Sequence, residues 1–199
     1  MRNLIKRISA LLLCLLLVLS LAVTALAEEA KDTDEAAAAE EGTTLRILRQ
    51  KQFLDFAENC RLDSYSRNLS VVLLTDIDLT GVDFAGIPIF CGNFDGNGHT
   101  VTLALENEAG ECQALFSKIA ASGKVQNLGI AGTVTGKKYV GGIAGKNAGS
   151  IENCKNTAAI KGASADGRWI GGIAGETSNG SKILNCYNIG TISSDRSGK

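Results

Sequence analysis

The sequence predicts an all-β fold, a parallel β-helix (β-solenoid) with a capping helix at its N-terminal end. Three observations predict it. A glycine-rich phrase occurs twice, as "YVGGIAGKNAGSIENC" from Tyr139 and "WIGGIAGETSNGSKILNC" from Trp169. Short apolar runs recur, punctuated by Gly, Asn and Ser. None of those runs has the i, i+3, i+4 apolar spacing of a helix.

Aligning the repeats defines the expected rungs. Val101, Val125, Ile151 and Ile183 fall in one column, at steps of 24, 26 and 32 residues. Asn127, Asn153 and Asn185 fall in a second, and Leu128, Cys154 and Cys186 in a third. Val134, Ile160 and Ile192 make a fourth, and Leu115, Ile143 and Ile173 a fifth. Each run is too short to bury a face alone. Stacked in parallel about 4.8 Å apart, the runs bury one another. Glycines then belong where the chain turns with positive φ or where backbones crowd. Gly142, Gly145, Gly172 and Gly175, from the two "GIAG" stretches, are the repeat glycines. The competing architecture, a β-propeller, has longer repeats of about 40–45 residues.

The segment before the repeats reads differently. "RQKQFLDFAENCRL" places Phe53, Phe56, Ala57 and Cys60 on one helical face. "SVVLLTDIDLTG" alternates, with Val71, Leu73, Thr75, Ile77 and Leu79 on one side and the carboxylates of Asp76 and Asp78 on the other. A helix and first strands over 43–98 suit a cap on coils over 99–199, because an open solenoid end is an exposed sheet edge.

Residues 1–27 have the three parts of a secretory signal: a basic start, an apolar run and the small-x-small site Ala25-Leu26-Ala27. The run is also long enough for an uncleaved anchor, but the acidic flank lacks the positive charges of a stop-transfer segment. After cleavage no membrane span is expected. Residues 28–42, "EEAKDTDEAAAAEEG", carry too little apolar surface to offset their ordering entropy and read as a flexible linker. Lys and Arg number 20 against 21 Asp and Glu, with no basic stripe, so nucleic acid is not an expected partner. The chain stops where another "GGIAG" is due. The expectation is a truncated or partial solenoid, continued by further coils, or a last coil covered by a partner.

In order, "FLDFAENC", "VVLLTDIDLTG", "GIPIFCGNFDGNGHTVTLAL", "ALFSKIAASGKVQNLGIAGTVTG" and "YVGGIAGKNAGSIENC" resemble bacterial secreted proteins with GLUG-type repeats. The "GIAG" stretches depart from the usual Leu-Val or Leu-Ile centre but keep both glycines. The resemblance spans about residues 45–193. It implies a right-handed parallel β-helix, similar to pectate-lyase-like folds, on exported or surface proteins that include adhesins and surface peptidases. It brings no agreed catalytic residues.

Candidate chemistry is sparse. Asp76-x-Asp78-x-Thr80-Gly81-x-Asp83 begins like a calcium loop, but Ile87 stands where a bidentate acid is needed. Asp76 and Asp78 are thus weak metal candidates against the alternative of an outward strand face and a turn. His99 is the single histidine and lacks a catalytic partner in sequence. "GGIAGK" is one residue short of a phosphate loop. A lyase or glycosidase on this fold needs clustered carboxylates, yet Glu152 becomes Leu184 in the next unit and Asp166 and Arg168 fall in a variable loop. Cys154 and Cys186 read as stacked thiols, whereas Cys91 and Cys112 are the better disulfide candidates. Tyr139 and Trp169 head equivalent strands, as an exposed aromatic shelf for ligand or as a half-buried packing ladder. The reading is a non-enzymatic, secreted or cell-surface bacterial module for adhesion, ligand binding or display. No cofactor is expected, and the partner would be a host or cell-surface glycan or protein. The alternative is a polysaccharide-active enzyme on the same scaffold.

Overall fold

The computed structural model describes residues 44–163 and 169–195. The signal-like segment, the acidic linker, and Asp166 and Arg168 lie outside the described residues. The elements run β1 (Thr44–Ile47), α1 (Gln50–Asn59), β2 (Ser70–Leu73), β3 (Ile77–Asp78), β4 (Asn93–Asp95), β5 (Thr100–Glu111), β6 (Phe116–Ile119), β7 (Lys124–Gln126) and β8 (Gly129–Lys138). They continue as β9 (Ala144–Asn147), β10 (Ser150–Glu152), β11 (Lys155–Asn156), β12 (Ala159–Gly162), β13 (Ala174–Thr177), β14 (Lys182–Leu184), β15 (Tyr187–Asn188) and β16 (Ile192–Ser194).

These strands form a parallel β-solenoid with three faces. One face stacks β1, β2, β4, β7, β10 and β14 in that order. The second carries β3, β5, β8, β11, β12, β15 and β16, and the third β6, β9 and β13. Every recorded strand pair is parallel, because each strand meets its equivalent one coil away. The in-register stack begins at β1, so it includes strands of the 43–98 segment as well as the later coils.

Four of the five expected columns stand. Val125, Ile151 and Ile183 pair in register across β7, β10 and β14. Val134, Ile160 and Ile192 do so across β8, β12 and β16. Val101 is a correction. It lies on the second face, opposite Ile77 and Ile130, and Phe94 holds the place assigned to it beside Val125. "FDGNGHT" has an inward apolar residue on either side, Phe94 before the turn on the first face and Val101 after it on the second, and sequence spacing does not tell the two apart. Likewise the single strand expected over Ser70–Gly81 is two, β2 and β3, with the corner between them. The alternation survives the corner: Val71, Leu73, Ile77 and Leu79 are buried, and Asp76 and Asp78 are exposed.

α1 buries Phe53, Phe56 and Ala57, the face its spacing predicts, with Cys60 at its C-terminal cap. Its rings join Phe84, Phe90, Phe94 and Phe116 in one aromatic cluster, with centroids 5.3–6.5 Å apart. Those are all six phenylalanines of the chain. The interior is therefore aromatic at the helix-closed end and narrows to Ile, Val, Cys and Asn towards β14. The far end has no equivalent plug among the described residues: Ile183, Leu184, Tyr187, Ile189 and Ile192 are exposed there.

The five described cysteines are free thiols, so the expected Cys91–Cys112 bridge is not formed. Cys91 lies near Cys60 beside α1, whereas Cys112 follows β5 near Lys146 and Glu176. Sequence proximity suggested a pairing that the corner between faces prevents.

Candidate binding face and the asparagine ladders

The last three coils turn from the first face to the second at an asparagine. Asn127, Asn153 and Asn185 have φ of 53°, 52° and 53°. Asparagine tolerates this left-handed region better than most residues, which explains the column. The side chains form a chain of amide bonds. Asn185 Nδ2 donates to Asn153 Oδ1 at 3.2 Å, Asn153 Nδ2 to Asn127 Oδ1 at 3.3 Å, and Asn127 Nδ2 to Asp95 Oδ1 at 3.0 Å. Asp95 also accepts the Asn97 backbone N–H and Gln126 Nε2. Burial raises the Asp95 carboxyl, but the bonds from Asn127, Asn97 and Gln126 outweigh it and hold the group below its ordinary value.

A second, interior ladder escaped the sequence reading. Asn156 is fully buried; its Nδ2 donates to Asn188 Oδ1 at 2.6 Å and to the Ala158 carbonyl, while its Oδ1 accepts the Ala158 N–H. The signal was present as a doubled Asn-Cys-x-Asn, at Asn153–Asn156 and Asn185–Asn188. Gly142 and Gly172 make room for it. A Cβ on Gly142 would lie 2.6 Å from Asn156 Oδ1, and one on Gly172 2.6 Å from Asn188 Oδ1. Gly145 and Gly175 face backbone of the neighbouring coil, at Cys112 and Tyr139 respectively. All four repeat glycines are thus required by crowding, and none by positive φ.

The corner from the second face to the third is made by Cys112, Tyr139 and Trp169, at φ of 58°, 56° and 61°. The Tyr139 and Trp169 rings stack with centroids 4.9 Å apart and planes 22° apart. Lys146 Nζ lies 3.8 Å from the Tyr139 centroid, and Lys138 Nζ lies 4.7 Å from Tyr139 and 5.0 Å from Trp169. Lys146 also pairs with Glu176 at 3.5 Å. Burial lowers the Lys146 ammonium, but Tyr139 and Glu176 raise it further, leaving it above its ordinary value. Trp169 is 43% exposed, and Tyr139 is half-buried.

The acidic candidates are engaged separately. Asp76 Oδ1 accepts the Thr100 N–H at 2.9 Å and meets His99 Nδ1 at 3.1 Å, and these contacts hold its carboxyl low. Asp78 Oδ1 accepts the Thr80 N–H and hydroxyl, closing its own turn and lowering its carboxyl likewise. Lys124 and then Ser150 lower Glu152. Among the described residues no three His, Cys, Asp or Glu side chains converge as a metal set, and no helix is long and apolar enough to cross a membrane.

Comparison with known proteins agrees with this architecture. Residues 136–169 match the model of the GLUG motif, which takes in the first "GIAG" and both shelf aromatics. Halomucin of Haloquadratum walsbyi is 32% identical over 142 residues, 65% of this chain but 2% of that protein. A Bacteroides ovatus crystal structure, provisionally named an immunoglobulin A1 protease, superposes with a TM-score of 0.54 at 19% identity, over 81% of this chain and 65% of that one. The chain thus spans less than two thirds of the length of either protein. The second likeness is one of fold. The chain is a parallel β-solenoid that carries the GLUG motif.

Proposed function

We propose that this chain is a non-enzymatic module of a secreted or cell-surface protein, and that it holds a glycan against the Tyr139–Trp169 shelf. The carrying observation is the conformation of that pair. Two bulky aromatic residues occupy left-handed backbone, which costs about 1–3 kcal/mol each, and they stack with Trp169 still 43% exposed. A residue needed only for packing would not require an aromatic ring at such a corner; Cys112 takes the same corner one coil earlier. The exposed part of the Trp169 indole suits the apolar face of a pyranose. The Lys138 ammonium beside both rings favours a sugar bearing a carboxylate or sulfate.

The non-enzymatic part is supported by the carboxylates. Asp76, Asp78, Asp95, Glu152 and Glu176 each serve a turn, a ladder or an ion pair. Secretion or surface display is supported by the signal-like residues 1–27 and by the similarity to part of Halomucin.

A glycan array on the full chain, run beside a polysaccharide-cleavage screen, tests the reading. Binding of acidic glycans is expected, weakened about thirtyfold by Trp169→Ala, the effect of losing about 2 kcal/mol at an aromatic anchor. Any cleavage product, or glycan binding untouched by Trp169→Ala and Tyr139→Ala together, refutes it.

A further inference from the structure

The corner that leads from the third face to the first alternates in length. Four residues, 120–123, separate Ile119 from Lys124, but only Cys91 and Gly92 separate their register partners Phe90 and Asn93. Ala148 and Gly149 make the next corner, and four residues, 178–181, the last. The longer corner at 120–123 stands out as a turn, closed by the Gly123 N–H on the Ala120 carbonyl. On the other side of the Cys91 corner, residues 66–69 close in the same way, from the Leu69 N–H to the Ser66 carbonyl. Gly92 lies against that turn, where a Cβ would strike the Ser66 and Leu69 carbonyls, and Gly149 lies likewise against Ala120 and Gly123. Only a short corner with glycine fits there. Between two protruding turns, the Cys91–Gly92 corner becomes the floor of a groove.

The groove encloses about 830 Å³, the size of a small-molecule site, and crosses three successive coils. Its walls are made of donors. Arg67 and Asn68 occupy the middle of one turn, and Ala121 and Ser122 the middle of the other; all four are exposed. A turn closed between its ends leaves its two middle N–H groups outside its own hydrogen bond. The Asn93 amide is exposed at the floor. Lys124 is committed to Glu152 at 2.9 Å. Arg67 makes no ion pair with any described residue, and no acidic residue lines the groove. An uncompensated guanidinium among amide and backbone donors selects a ligand that is rich in acceptors and negatively charged. No aromatic ring lines the groove, and its one large aliphatic side chain, Leu69, is 3% exposed. A bound peptide would need apolar anchor pockets of the kind missing here. A saccharide needs hydroxyl partners, which the amides and turn N–H groups supply.

We propose that this groove is a second ligand site, for an anionic saccharide. Arg67 holds the carboxylate or sulfate, and Asn68, Asn93 and the N–H groups of Ala121 and Ser122 bind the ring oxygens and hydroxyls. The site lies at a different corner from the Tyr139–Trp169 pair and does not rest on the function proposed for that shelf.

The test is titration calorimetry on the full chain carrying Tyr139→Ala and Trp169→Ala together, so that the shelf cannot contribute. The probes are a hyaluronan hexasaccharide, which carries carboxylates alone, a chondroitin sulfate hexasaccharide, which carries both groups, neutral chitohexaose and hexaglutamate. Saturable binding of an acidic hexasaccharide is expected. Binding of both assigns the carboxylate to Arg67, and binding of the sulfated one alone assigns the sulfate. Arg67→Ala, at an exposed position, is expected to weaken binding about tenfold. Deleting Ala121 and Ser122 joins Ala120 to Gly123 and reproduces the Ala148–Gly149 corner of the next coil, so the chain is expected to fold with one groove wall gone and binding lost. Four results overturn the proposal: no binding of either acidic hexasaccharide, affinity unchanged by Arg67→Ala, chitohexaose binding as tightly, or hexaglutamate binding as tightly. The first of these leaves the shelf reading standing if the unaltered chain still binds acidic glycans.

Discussion

Replacing Ile151 by alanine removes three carbons from the middle of the first-face column, where the side chain is fully buried between Val125 and Ile183. At about 0.8 kcal/mol per buried methylene, the lost transfer energy is about 2.4 kcal/mol. The neighbours cannot collapse into the gap, because their spacing is set by strand pairing above and below, so a cavity contribution brings the total to about 3 kcal/mol. The same substitution at Ile183 is the control. That side chain stands in the same column but is 39% exposed and covered from one side. Without a cavity its cost falls to about 1 kcal/mol. Urea denaturation of the two variants, followed by far-UV circular dichroism, gives both values if the slope with denaturant is unchanged. Equal losses, or a larger loss at Ile183, refute the claim that stacking between coils, and not side-chain identity, stabilises this column.

Asn156→Leu removes the amide that bonds Asn188 and both Ala158 backbone groups, leaving them unpaired in the interior; about 2–3 kcal/mol of destabilisation is expected in the same assay. Gly142→Ala drives a Cβ to within 2.6 Å of Asn156 Oδ1 and is expected to cost about 1–3 kcal/mol. The Asp95 carboxyl is held below its ordinary value of 3.8 in the folded chain, so its contribution is present at neutral pH and is lost as pH falls through the folded value. Acid titration from pH 5 downward should therefore show a shallower loss of stability in Asp95→Asn, and an unchanged acid limb contradicts the ladder's dependence on that carboxylate. Burial pushes the thiols of Cys60 and Cys154 up to about 12. Both are expected to resist iodoacetamide at pH 8 until denaturant is added, as read by peptide mass mapping.

The repeat itself was legible because stacking demands like residues at like positions: once "GGIAG" and "ENC" recurred, matching columns followed. The helix face of Phe53, Phe56, Ala57 and Cys60 was legible for the same local reason, since 3.6-residue periodicity needs no distant partner. The shelf residues Tyr139 and Trp169 were found from their equivalent places in the repeat, but their left-handed backbone and the two lysine ammoniums over the rings have no sequence signature. Asn156 and Asn188 were overlooked because a buried asparagine looks like a loop residue until its partner one coil away is known.

The sequence by itself determined the fold class and most of the register, because both depend on periodicity, which is a property of one dimension. The tertiary structure alone decided on which face a residue lies, since a corner such as Asp95–His99 reassigns everything after it and moved Val101 off its expected column. It also decided which cysteines are neighbours, which glycines are crowded and by what, and how the Asn ladder is polarised. Those depend on distances between coils, and the physical reason they escape sequence is that each is set by a contact between residues far apart in the chain, from Gly142 against Asn156 to Asn153 against Asn185.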